Sequence, residues 1–80
     1  PNMLSGMSLK FTRDGEYYIQ VFPNQDCRIH LSVLENTEDS WVAGTVSQGK
    51  AWCKITVGNG SKISQQKDAT LIVHILAVED

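Results

Sequence analysis

Residues 27–34, reading C-R-I-H-L-S-V-L, constrain the fold of this chain more than any other stretch. Apolar and polar side chains alternate almost without a break, so Cys27, Ile29, Leu31 and Val33 share one face. A strand turns successive side chains to opposite faces, and this alternation reads as a half-buried β-strand rather than a helix. Residues 51–57 repeat the pattern, with Ala51, Cys53, Ile55 and Val57 on the inward side. Both cysteines therefore fall on core-facing positions of strong strands.

Turn signals come at intervals that suit an all-β domain. Residues 9–12 read as a short first strand, closed at Asp14-Gly15, a pair that favours a tight hairpin because both central positions of its turn take positive φ. Residues 17–22 form the next strand, ended by Pro23-Asn24-Gln25-Asp26. A polar, acidic loop at 35–40 leads to a weaker strand at 41–47. The fifth strand, 51–57, is followed by Gly58-Asn59-Gly60-Ser61, a short segment around Ile63 and a polar loop. The last strand covers 70–78. Short strands separated by turns in this way predict a small antiparallel β-sandwich or compact barrel of six to seven strands. Its expected core is Leu9, Phe11, Tyr17, Ile19, Val21, Cys27, Ile29, Leu31, Val33, Cys53, Ile55, Val57, Leu71, Val73 and Ile75.

The 80 residues make one domain, 1–80, with residues 1–7 expected as a loosely ordered lead-in. The opening Pro1-Asn2-Met3 reads as a processed product or an excised domain, and an extracellular or virion-associated setting is favoured over the cytoplasm. A domain of this size buries only about 60–65% of its unfolded surface, so a cross-link or a partner chain would add materially to its stability. Two cysteines admit a single intrachain pairing. A Cys27–Cys53 disulfide would contribute about 3–4 kcal/mol on the chain-entropy model. The competing reading is a pair of buried thiols.

Several function classes find little support. The net charge of −2 gives no basic footprint for nucleic acid. No apolar run approaches the roughly 20 residues that span a bilayer as a helix. The two cysteines and two histidines lack the short ligand spacings of a zinc site, and the acidic loop lacks the spaced carboxylates of a calcium loop, so no metal and no cofactor is expected. No nucleophile elbow, metalloprotease helix or phosphate loop occurs, and the domain is read as non-catalytic. Asn59-Gly60-Ser61 matches a glycosylation acceptor, although turn chemistry explains the same residues.

Two surfaces stand out instead. Tyr18, Arg28, His30, Trp52 and Lys54, together with Gln20 and Thr56, point away from the core on their strands and form a candidate ligand or partner face. The last strand is apolar on both sides, and its second face, Ile72, His74, Leu76 and Val78, is a candidate assembly face. The expected role is a binding or assembly module whose partner is a protein or a second copy of the chain. A carbohydrate-binding module using Trp52, Tyr18 and Trp41 is the alternative, and an inhibitor acting through a loop is a further one.

Overall fold

A computed structural model describes residues 3–22, 27–48, 52–58 and 68–79, which form two three-stranded antiparallel sheets. The strands are β1 (Met3–Phe11), β2 (Gly15–Gln20), β3 (Arg28–Asn36), β4 (Ala43–Gln48), β5 (Trp52–Val57) and β6 (Leu71–Val78). Sheet A has the order β1-β6-β3 and sheet B the order β2-β5-β4. The two sheets make a small β-sandwich, as the alternation predicts. Pairing β1 with β6 and β2 with β5, while the edges of β3 and β4 meet, is the layout of a rolled-up antiparallel ribbon.

The period-2 pattern translates directly into burial. In β5, Cys53, Ile55 and Val57 point inward, and in β6, Leu71, Val73, Ile75 and Ala77 do the same; all seven are at most 2% exposed. Met7, Leu9, Tyr17, Ile19, Ile29 and Leu31 close round them as partly buried neighbours. Burying each large aliphatic side chain is worth about 1.5–3 kcal/mol relative to exposure.

Several expectations change. Asp14-Gly15 does not close a hairpin, because β1 and β2 belong to different sheets and the pair carries the chain across the sandwich edge. That corner is held by the tilted ring contact of Phe11 with Tyr17, 4.7 Å between centroids, and by the Tyr17 hydroxyl donating to the Arg13 carbonyl at 3.0 Å. The first strand begins at Met3, so most of the expected lead-in pairs with β6. Val33 is half exposed rather than core, since it sits on an edge strand beside a bulge, where Leu34 is the extra residue between the Val33–Val73 and Glu35–Ile72 pairs.

Cys27 and Cys53 remain separate thiols. Cys27 packs with Ala77 at one end of sheet A, while Cys53 lies in the main core on β5. The turns at 23–26, 49–51 and 59–67, the segment around Ile63 and the Asn59 acceptor lie outside the described residues.

The fourth strand starts at Ala43, two residues later than expected, because Trp41 turns inward and is 2% exposed. The acidic loop is built to hold it there. Asn36 Nδ2 donates to the Trp41 carbonyl at 2.9 Å while its Oδ1 accepts from the Glu38 backbone N–H at 3.1 Å. The Glu38 carboxylate accepts from Ser40 N–H and Oγ–H, and Thr37 N–H donates to the Thr70 carbonyl at 2.8 Å. These bonds anchor the loop to the strand entering β6.

Gly58, at the exit of β5, has φ +101°, and a Cβ there would lie 2.8 Å from Asp14 Cγ. Strain and collision act together, so Gly58→Ala is expected to lose about 1–3 kcal/mol, read as a lower denaturation midpoint with an unchanged m-value.

Candidate functional site

The residues expected on one outward face are divided between two. Tyr18, Lys54 and Trp52 lie on the outside of sheet B, with Tyr18 opposite Lys54 and Gln20 opposite Trp52. Arg28 and His30 lie on the outside of sheet A, opposite Val78 and Leu76. The separation follows from pairing, because β3 joins β6 and not β2 or β5. Trp41 is withdrawn from any surface role by its burial.

On sheet B, Tyr18 is 68% exposed yet held in place. Its hydroxyl donates to Glu16 Oε2 at 3.4 Å, and the Lys54 ammonium lies 5.7 Å from its ring centroid. Lys54 Nζ is 3.3 Å from Glu16 Oε1, which closes a triangle of carboxylate, ammonium and phenol. The Glu16 carboxylate raises the Lys54 pKa above 10.5, first by its hydrogen bond and then by its charge, and Tyr18 adds to the rise. Beside this triangle lies a shallow, open depression of about 370 Å³ lined by Tyr18, Ile19, Gln20 and Trp52. Glu16 was not singled out from sequence. Its signal is the i, i+2 spacing of Glu16, Tyr18 and Gln20, which puts all three on one side of β2.

On sheet A, Ile72, His74, Leu76 and Val78 run along the outside of the central strand and are half-buried among their neighbours. Two rungs have polar flanks on both sides, Lys10 and Glu35 about Ile72 and Ser8 and Ser32 about His74, whereas Gly6 and His30 flank Leu76 and Met3 and Arg28 flank Val78. Gly6 lets the sheet face close here, since a Cβ would meet Leu76 Cδ2 at 2.9 Å and His74 Nε2 at 3.4 Å and the end of the Leu76 side chain would have to shift. Leu34, at the bulge, is 57% exposed.

Among the described residues, no group of three or more His, Cys, Asp and Glu side chains converges as a metal site, and no helix is long and apolar enough to cross a membrane. Comparison with protein-family models, curated proteins and solved structures finds no match to this chain. The two faces therefore have to be read from their own chemistry.

Two titrations test the local electrostatics. In an NMR pH series, the Lys54 midpoint is expected above 10.5 and to fall toward that value in Glu16→Gln. The contact should thus persist through neutral pH and, on the alkaline side, be lost as pH rises through the raised Lys54 pKa. Burial pushes the Cys53 thiol above 9.0, so it stays protonated at mildly alkaline pH. Cys53 is expected to resist alkylation in the native state and to react once denaturant unfolds the chain, as followed by peptide mass spectrometry.

Proposed function

We propose that this domain is a non-catalytic assembly module that docks through the outside of sheet A onto a second copy of itself. The observation that carries the reading is the composition of that face: an apolar row, Ile72, Leu76 and Val78, broken by one imidazole, along a central strand edged by Lys10 and Ser8 on one side and Arg28, His30, Ser32 and Glu35 on the other. Desolvated apolar centres with polar rims are the usual anatomy of protein contacts.

Charge placement favours a like partner. Across the rung of Ile72, Lys10 stands on one edge strand and Glu35 on the other. A two-fold axis parallel to β6 exchanges the two edges of the sheet. It sets Lys10 of each copy against Glu35 of the other, and Ile72 and Leu76 against themselves. Two sheets packed back to back would be about 10 Å apart, with strands within about 30° of alignment. The second sheet of each copy would then face outward.

The test is mass by light scattering or sedimentation over a concentration series. The expected result is a concentration-dependent rise from monomer to dimer. Leu76→Asp and Ile72→Asp should each give a monomer whose circular dichroism is unchanged. Lys10→Glu and Glu35→Lys should each weaken association, and the double exchange should restore it. A wild-type monomer up to about millimolar concentration would overturn the reading. So would folded Asp variants that associate as the wild type does.

A further inference from the structure

We propose that the depression on the outside of sheet B is a binding site for a neutral saccharide, with Tyr18 and Trp52 as stacking surfaces and Gln20 as the hydrogen-bonding group. This site lies on the opposite sheet from the assembly face and does not depend on it.

The lining supplies both halves of what a sugar ring presents. A pyranose offers an apolar patch of C–H groups on one face and a rim of hydroxyls. Aromatic rings match the first, and a side-chain amide, with donors and an acceptor, matches the second. The described residues that line it include two outward aromatics, Tyr18 and Trp52, and one outward amide, Gln20, while the Ile19 side chain turns to the core. Tyr18 and Trp52 occupy diagonal positions across β2 and β5, because Tyr18 is opposite Lys54 and Gln20 opposite Trp52. Diagonal neighbours lie about 7–8 Å apart, so two aromatic side chains can border the same ring or successive rings. The volume of about 370 Å³ falls within the range of small-molecule sites, and its openness suits a ligand that keeps one side in water.

Tyr18 is also ordered in advance. An aromatic side chain 68% exposed would ordinarily lose rotamer freedom on binding. Here its hydroxyl is bonded to Glu16 and the Lys54 ammonium lies over its ring, 5.7 Å from the centroid.

The charge pattern selects against anions. Among the described residues that line it none is charged, and the Lys54 ammonium beside them is matched by the Glu16 carboxylate at 3.3 Å. Among the described residues, a nucleotide or sulfated glycan gains no net cation here. A neutral saccharide needs none.

The experiment is an amide-resolved NMR titration of the whole chain with short neutral oligomers of glucose, galactose, mannose and N-acetylglucosamine, and with a sulfated oligosaccharide as the charged control. Each is taken to about 10 mM, the concentration at which weak lectin-like contacts saturate. The expected result is perturbation by at least one neutral oligomer, confined to Tyr18–Gln20, Trp52–Lys54 and the Trp52 indole N–H. Tyr18→Ala should weaken that binding about tenfold, whereas Tyr18→Phe, which keeps the ring and loses only the bond to Glu16, should weaken it by less. Tyr18 is largely exposed, so the Ala variant remains informative even if Trp52→Ala fails to fold. Silence across the neutral panel, a response to the sulfated control alone, or undiminished binding by Tyr18→Ala would each overturn the proposal. Tyr18→Ala is expected to leave the concentration dependence of mass unchanged, which separates this outcome from the test of sheet A.

Discussion

Everything in this domain depends on the contact between two strands that are not hydrogen-bonded to one another. β5 and β6 are the central strands of the two sheets, and each of the other four strands pairs with one of them. Their inward side chains, Cys53, Ile55 and Val57 on one and Leu71, Val73 and Ile75 on the other, form the most deeply buried part of the core. Truncating a buried Ile or Leu to Ala costs about 2–5 kcal/mol, comparable with the whole stability expected of a domain this small. No cross-link between Cys27 and Cys53 shares that burden. The domain rests on apolar packing.

The same two strands explain why the outer faces differ. A central strand of a two-layer sandwich must be apolar inside but is free to vary outside. β6 uses that freedom for Ile72, His74, Leu76 and Val78, and β5 for Trp52, Lys54 and Thr56. Edge strands complete each face: β1 and β3 add Lys10, Glu35 and His30 around an apolar row, and β2 adds Glu16, Tyr18 and Gln20 beside Trp52. One face is thus an apolar row edged by polar and charged residues, and the other a small polar-aromatic platform. On the proposed reading the domain associates by the first and presents the second.

The connections carry a second constraint. Apart from β4 to β5, each link between successive strands passes from one sheet to the other. Such crossings need corners that also shut the ends of the core. At one, Phe11 and Tyr17 lock across the Asp14-Gly15 turn, with Gly58 giving room for the Asp14 carboxyl. At another, the polar loop from Asn36 to Ser40 spends its side chains on its own backbone, and Trp41 is driven into the core. Acidity in that loop serves the turn.

Sequence by itself determined the class of fold, the placement of five of the six strands to within a few residues, and which side of β2, β3, β5 and β6 faces inward. These are local properties: a period of two residues fixes the face of each side chain whatever the strand later pairs with. Tertiary structure alone decided which strands share a sheet. Asp14-Gly15 looks like a hairpin over a few residues, and only the competing pairings of β1 with β6 and β2 with β5 make it a crossing. Pairing also separated Arg28 and His30 from Tyr18, Trp52 and Lys54, which alternation had assigned equally to the outside. Trp41 and Val33 exchanged places in the core for a related reason, since burial at a sandwich edge is set by the opposing sheet and by a bulge. Alternation tells inside from outside within one strand; which outsides become neighbours is a question of long-range pairing, and no local pattern contains it.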